Sequence, residues 1–219
     1  MHRIGIIRES AKRIAEAVDD TVEDLKENLI QQEPAFTGNM LTRIMQVMNS
    51  VEIKDVRWTA KILTDRGPNA QEKTYGADFV GVLHIDIHEF KVAKGFLAQA
   101  KLLEPSAKIP HGEMQRMKNQ CEQMLKLSPA SFLFLYSTQG VTVVPAIAIV
   151  SSNANPYELY RRGVSRFFEE HFESFIGDRR LSCTDIKTID HLRAEYTARN
   201  ALLLKAEMEG AAYQASLFR

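Results

Sequence analysis

The sequence predicts an α/β fold in which helices flank a mixed central sheet. Three observations support this fold class. The N-terminal quarter carries apolar residues at helical spacing, and later runs are either β-branched or alternate apolar with polar residues, as strands do. A helical segment over 111–127 then separates two of the strand runs. The order strand, helix, strand indicates a crossover between strands of one sheet, which makes the sheet mixed.

Two amphipathic helices are predicted at the N-terminus. The first spans 9–32, and its apolar positions fall at helical spacing: Ile14, Val18, Leu25 and Leu29. Pro34 disfavours helical geometry in the residue before it and is well suited to begin a helix. A second helix therefore begins there, with one apolar stripe at Phe36, Met40, Ile44, Val47 and Val51.

Strands are predicted over 51–63, 76–87 and 95–103, where apolar residues alternate or are β-branched. The turn residues Gly67, Pro68 and Asn69 separate the first strand from the second. Downstream of the 111–127 helix, the apolar run 131–136 is typical of a central strand.

The remaining chain is predicted to add one strand and two helices. The strand spans 141–145, with 146–150 as its continuation. The helices span 156–176 and 190–209. The apolar face of the first is Tyr160, Val164, Phe167, Phe168, Phe172 and Phe175, and that of the second includes Leu192, Tyr196, Leu203 and Ala206.

The composition limits the classes of protein to which this chain can belong. With 219 residues, 45% of them hydrophobic and 26% charged, we expect a single domain over 1–219. Its core is expected at about 33–150 and a helical C-terminal part at about 151–219. The formal net charge is zero, so a nucleic-acid surface must be a local basic patch. Cys121 and Cys183 are too few for a disulfide framework, and no apolar run approaches a membrane span. We expect a cytoplasmic protein without membrane contact.

Polar residues interrupt two neighbouring predicted strands. Asp78 opens one strand, and Gln99 and Lys101 lie on the next, on one face because positions two apart share a face. Mg²⁺ prefers hard oxygen ligands, which Asp78, Gln99 and the backbone carbonyl of Ala100 can supply. Lys101 would hold the attacking water or the phosphate. The pattern indicates metal-assisted phosphodiester hydrolysis; the alternative is a strand pair with an Asp at a turn and exposed polar residues.

At these residues the chain resembles the PD-(D/E)xK, or restriction-endonuclease-like, nuclease superfamily. The resemblance is to the branch whose motif reads Gly-Ala-Asp … Gln-x-Lys, as at 76–78 and 99–101, and it extends over about 33–145. It implies a restriction-endonuclease-like fold and a Mg²⁺-dependent endonuclease acting on DNA, with Mn²⁺ as a substitute cation. It also implies a role in defence against foreign DNA.

Nucleases of this type commonly add a glutamate from a helix that precedes the first core strand. Glu33 is the candidate by position, Glu23 and Glu27 are its rivals, and an exposed acid at a helix end is the alternative interpretation. In the family pattern a glutamate often stands near Glu72, six residues before Asp78. This residue either binds a second metal ion or faces solvent.

Two further groups of polar residues have alternative interpretations. His84, Asp86 and His88 share a strand face, which fits either a transition-metal site or, as we favour, a solvent-facing edge. A basic patch suited to phosphate contacts is formed by Arg161, Arg162, Arg166, Arg179 and Arg180. The alternative is a solvated face in which arginines pair with Glu169, Glu170 and Glu173.

No separate DNA-reading domain is recognisable in the sequence. We therefore expect specificity to come from homo-oligomerisation or from a separate recognition, helicase or sensor subunit. The alternative function is a catalytically inactive nuclease-fold subunit that acts in DNA docking or assembly. Gln99, which brings one negative charge fewer than an acid, and the neutral net charge support this alternative. A third hypothesis is a structural α/β protein without a site.

Overall fold

The computed structural model describes residues 2–50, 52–53, 56–64, 77–87, 90–183 and 185–208. The helices in this part of the chain are α1 (His2–Lys26), α2 (Glu33–Ser50), α3 (His111–Leu127), α4 (Ala146–Ser151), α5 (Val164–Phe172) and α6 (Ile186–Glu195). The strands are β1 (Glu52–Ile53), β2 (Val56–Thr64), β3 (Phe79–Ile87), β4 (Phe90–Leu102), β5 (Ser131–Ser137), β6 (Gly140–Pro145), β7 (Arg162–Gly163) and β8 (Asn200–Met208).

These strands form one sheet in the order β1-β2-β8-β3-β4-β5-β6-β7. The β3–β8 and β4–β5 pairs are parallel and the other pairs antiparallel, so the predicted mixed sheet flanked by helices is confirmed. Helix α3 has the bounds that the sequence predicted and connects β4 to β5. A parallel pair needs such a crossover because its two strands run in the same direction.

Helices cover both faces of the sheet. Side chains from α1, α2 and α5 share one apolar cluster with one face, and those from α3, α4 and α6 share another with the opposite face. Six apolar positions of the predicted stripes are buried in the first cluster: Ile14, Val18, Leu25, Phe36, Met40 and Ile44. Helix α1 ends at Lys26, before the predicted end, so Leu29 lies in the following turn and is exposed.

The predicted helix over 190–209 is wrong, because this segment contains the shorter helix α6 and the strand β8. Strand β8 lies between β2 and β3, where Ala201–Leu204 are buried on both faces of the sheet. A strand buried on both faces lacks apolar–polar alternation, and leucine and alanine have high helix propensity. Since β7 and β8 belong to the sheet, the part beyond residue 150 is not a helical appendage.

Two other predicted elements differ from the structure. The segment 156–176 contains a short 3₁₀ turn, the edge strand β7 and then α5, so Tyr160 and Phe175 are exposed instead of buried. Residues 146–150 form α4 and do not continue β6. Their apolar pattern fits either element, but in the helix Ala146 and Ile149 face the same cluster, one turn apart.

Candidate active site

Asp78 lies immediately before β3, at the end of the sheet where β4 finishes. In the register of β3 and β4, Phe79 lies opposite Ala98, so Asp78, one residue earlier, lies opposite Gln99. The backbone N–H of Asp78 donates to the carbonyl of Ala98 at 2.8 Å. Its carboxylate accepts a hydrogen bond from the backbone N–H of Ala100 at 2.8 Å. The Asp78 side chain thus completes the ladder where β4 extends beyond β3.

The side chain of Gln99 is buried beside Asp78, and only 5% of the residue is exposed. Its Nε2 donates to the Asp78 carboxylate and, at 3.4 Å, to the carbonyl of Ala100. Its Oε1 is buried without a hydrogen-bond partner. An unpaired buried polar atom is unfavourable by roughly 1–3 kcal/mol, so a proton donor or a cation that reached this oxygen would relieve that cost. In the structure it is the amide nitrogen of Gln99, and not its oxygen, that faces Asp78.

Glu33, the first residue of α2, reaches the same end of the sheet. Its carboxylate accepts a hydrogen bond from the backbone N–H of Leu102 at 2.9 Å. The first turn of α2 is held over β5 by Phe36, whose ring stacks on Tyr136 at 4.1 Å, and by Thr37, whose hydroxyl lies 3.1 Å from the Tyr136 hydroxyl. The rival Glu23 forms an ion pair with Lys26 on the exposed side of α1.

Lys101 forms ion pairs with two acidic residues at this end of the sheet. Among the hydrogen bonds and ion pairs of the described residues, none joins Lys101 to Asp78. Its Nζ lies 3.1 Å from Glu113 Oε1 and 3.9 Å from Glu33 Oε2. About a quarter of the Lys101 side chain is exposed, 27%. The ammonium is therefore held between two carboxylates at the rim of the site and is accessible to a solute. Glu113, which lies in the first turn of α3, is not among the site residues predicted from the sequence.

Burial dominates the electrostatics of Asp78. It raises the pKa of this carboxyl from 3.8 to about 6; the Ala100 N–H acts against this shift and the charge of Glu33 adds to it. Removal from water disfavours the charged form, and a second carboxylate nearby has the same effect. A cation bound between the two carboxylates would reverse both effects and favour the ionised form.

We expect Asp78 to make unfolding pH-dependent in the absence of divalent metal. Because its folded pKa is raised, its stabilising contribution is present below pH 3.8 and is lost as the pH rises through about 6. The free energy of unfolding of wild type relative to Asp78→Asn should therefore fall by about 3 kcal/mol over this window. Urea unfolding in EDTA measures it, and parallel pH profiles for the two proteins would contradict it.

Two residues that the sequence analysis missed complete the surroundings of Asp78. The guanidinium of Arg199 lies 3.9 Å from Asp78 Oδ1, and 40% of its side chain is exposed. Asn200 donates its backbone N–H to the carbonyl of Asp78 at 3.0 Å, which starts the parallel β3–β8 ladder. Both residues lie in the predicted helix over 190–209, and no sequence pattern links them to Asp78, which is more than 120 residues earlier in the chain.

The oxygen atoms near Asp78 are of the chemical type that hard divalent cations prefer, although Gln99 and Ala100 are not among the described residues that line the cavity beside Asp78. The described part of the chain contains no group of three or more His, Cys, Asp or Glu side chains that could hold a metal ion. The site instead offers the carboxylates of Asp78 and Glu33 together with the oxygens of Gln99 and Ala100, a donor set suited to Mg²⁺. A cavity of about 20 Å³ between Asp78, Glu33 and Arg199 has room for about one water molecule or ion.

The predicted arginine patch lies away from this site and is largely paired. The pairs are Arg162 and Arg166 with Glu170, Arg180 with Asp178, and Arg161 with the backbone carbonyl of Tyr157. Arg179 is exposed. Strand β7, which carries Arg162, is the sheet edge three places from β4. The exposed Arg166, which pairs with Glu169 and Glu170, matches the alternative interpretation of a solvated face, whereas the Arg162–Glu170 pair is largely buried, with side-chain exposures of 12% and 10%.

Other predicted site residues are described in part or lie outside the described residues. Glu72 and His88 lie outside them. Asp86 is exposed and pairs with Lys91 at 3.0 Å, while His84 Nδ1 is buried without a hydrogen-bond partner. Asp86 thus behaves as a residue of a polar strand edge.

Comparison of the chain with protein-family models, with curated proteins and with solved structures gives no match. The sequence and the structure therefore carry the functional argument. Across the described residues, every helix is too short or too polar to cross a membrane.

Proposed function

We propose that this protein is a Mg²⁺-dependent endonuclease that hydrolyses phosphodiester bonds in DNA, with Mn²⁺ as a substitute cation. The observation that carries the proposal is the pairing of a buried carboxylate, Asp78, with a buried amide whose oxygen has no partner, Gln99. Glu33 and Lys101, the other two residues implied by the resemblance, lie at the same end of the sheet.

Each residue of the site has a role that follows from its position. Asp78, Glu33, Gln99 and the carbonyl of Ala100 would hold the cation, which when bound supplies a Lewis acid to the phosphate. Lys101, at the rim, would neutralise a non-bridging phosphate oxygen, since an ammonium on a flexible stem binds phosphate as a point charge. Water attacks phosphorus in line, and the bond to the leaving sugar oxygen breaks.

The order of elements supports a restriction-endonuclease-like fold for this chain. Helix α2 precedes β2, β3 and β4, of which β3 and β4 pair antiparallel while β8 lies between β2 and β3, and the α3 crossover leads to β5, parallel to β4. The candidate residues lie on the first turn of this helix and on the adjacent ends of two of these strands. The proposed role in defence against foreign DNA rests on the sequence resemblance alone. We also propose a cytoplasmic protein that obtains specificity through homo-oligomerisation or a separate recognition, helicase or sensor subunit.

A second candidate is a nuclease-fold subunit that docks DNA or assembles a complex without cleaving. Two contacts favour it. Lys101 is held by Glu33 and Glu113, and the guanidinium of Arg199 lies near Asp78, where it competes with a cation for the carboxylate. Gln99 also lowers the negative charge that a metal ion would find. A cleavage assay separates the two candidates.

We expect plasmid DNA to be cleaved in Mg²⁺ or Mn²⁺ and left intact in Ca²⁺ alone. Calcium takes more ligands at longer distances than magnesium and positions the reacting groups poorly. The measurement is gel analysis of plasmid, linear duplex, single-stranded DNA and RNA with each cation and with EDTA. Cleavage that persists in excess EDTA would rule out the metal-dependent mechanism, and no cleavage of any substrate would favour the docking subunit.

A further inference from the structure

A larger cleft adjoins the Asp78 site. It has a volume of about 640 Å³ and lies between the N-terminal half of α2 and the ends of β2 and β8. Pro34, Arg199 and Asn200 line both this cleft and the small cavity beside Asp78. A ligand in the cleft would therefore extend directly to the two carboxylates.

The lining of the cleft is polar but almost uncharged. Amide and hydroxyl groups come from Gln32, Asn39, Thr42, Thr64 and Asn200, and apolar surface comes from Pro34, Ala35 and Ile62. Asn39, Thr42 and Asn200 already donate to backbone carbonyls, so they would meet a ligand mainly through their oxygens, as acceptors. Arg199 is the only charged residue among the lining residues that the structure describes, and it stands at the junction with the Asp78 cavity. Neutral donors and acceptors beside apolar surface suit the edge and face of a nucleobase, whereas a phosphate backbone would call for several cations.

The position of Arg199 completes this arrangement. Its guanidinium is 40% exposed and faces Asp78 at 3.9 Å, so a phosphate that reaches the carboxylates passes next to it. Guanidinium groups bind phosphate through two parallel N–H donors. The cleft thus offers base-binding groups on one side and a phosphate-binding cation at its inner end.

We propose that this cleft binds an unpaired nucleotide next to the phosphate that is cleaved, so that the enzyme acts on single-stranded segments of nucleic acid. The inference rests on the proposed nuclease function and specifies its substrate. A cleft of about 640 Å³ falls in the size range that encloses one small ligand, which suits a splayed-out nucleotide and is too small for a duplex. Unpaired bases expose the edges and faces that such a lining contacts.

Gly38 offers a way to close the cleft without disturbing the core. It lies inside α2 and lines the cleft, and a Cβ added there would meet no atom within 4 Å. Gly38→Leu would place a bulky side chain in the cleft, whereas Gly38→Ala adds only one methyl group. The alanine variant is a matched control because both substitutions replace a helix-interior glycine.

The test is fluorescence anisotropy with a labelled single-stranded oligonucleotide of about twelve nucleotides and with its duplex, in Ca²⁺. Wild type should bind the single strand more tightly than the duplex. Gly38→Leu should weaken single-strand binding by about tenfold or more, the loss expected when one base contact is removed, and Gly38→Ala by less than about threefold. Circular dichroism checks the fold. If the leucine variant does not fold, Thr42→Trp fills the same cleft from an exposed position.

Three outcomes would overturn the inference: no binding of the single strand by wild type, duplex binding that is as tight, or unchanged binding by the cleft-filling variants. Cleavage of single-stranded DNA and of plasmid by wild type in Mg²⁺ is measured separately. If cleavage occurs while the cleft variants bind normally, the inference fails and the proposed nuclease function stands. If no nucleic acid is cleaved, the nuclease function fails independently of the binding result.

Discussion

Asp78→Asn is expected to reduce Mg²⁺-dependent DNA cleavage by about a hundredfold or more while the protein stays folded. The asparagine keeps the size of the side chain and an oxygen that can accept the hydrogen bond of the Ala100 N–H. It removes the negative charge that would bind the cation. Burial already raises the pKa of Asp78 and so disfavours this charge in the absence of a cation. Losing one preorganised electrostatic group at a reacting centre typically lowers the rate by this amount.

The same strand provides a control for this substitution. Asp86→Asn makes the identical change near the other end of β3, where the carboxylate is exposed and pairs with Lys91. We expect cleavage at the wild-type rate from this variant. Initial rates at saturating Mg²⁺ should be compared after the unfolding midpoint of each protein has been measured. Full activity of a folded Asp78→Asn protein would show that the proposed site is not where hydrolysis occurs.

Substitutions of Gln99 are expected to show whether its side chain is a metal ligand or has only a structural role. Gln99→Leu keeps the approximate size but removes the unpaired oxygen, so cleavage should fall by about a hundredfold. Gln99→Glu keeps an oxygen and places a second carboxylate against Asp78. Two adjacent buried carboxylates repel each other, so the free protein should be less stable than wild type. A bound cation removes this repulsion, so some cleavage should survive.

Two measurements test the Gln99 variants. The first is the Mg²⁺ dependence of cleavage for wild type, Gln99→Leu and Gln99→Glu. The second is the unfolding temperature in EDTA and in Mg²⁺, which should rise more with Mg²⁺ for the glutamate variant than for wild type. Gln115→Leu, the same change at an exposed position on α3, is the control. If the leucine variant cleaves like wild type, Gln99 has only a structural role.

The meeting of Asp78 with Gln99 was predictable from the sequence because it depends on local geometry. Strands β3 and β4 are neighbours in the chain. They pair antiparallel in an unbroken register from the Phe79–Ala98 pair to the Ile87–Phe90 pair. In such a hairpin, residues equally distant from the turn lie opposite each other. Gln99, 21 positions after Asp78, therefore lies opposite it once both segments are recognised as strands.

The placement of Glu33 and Lys101 at the site depends partly on tertiary packing. Among three glutamates near the N-terminal helices, the sequence favours Glu33 over Glu23 and Glu27 by position alone. The choice was made by the first turn of α2, which the Phe36–Tyr136 stack holds over the sheet, so that Glu33 reaches Leu102 and Lys101. Tyr136 is 100 residues from Phe36, and nothing local in the chain links the two.

By itself, the sequence determined that helices and strands form a mixed α/β sheet and that an acid, an amide and a lysine lie on two adjacent strands. Only the tertiary structure decided that β8 enters the sheet beside β3, because the leucine-rich run Ala201–Leu204 fits a helix or a doubly buried strand equally well. The burial available between β2 and β3 selects the strand. That choice brings Arg199 to Asp78 and forms the cleft beside it, since parallel pairing of distant segments follows from packing and leaves no local pattern.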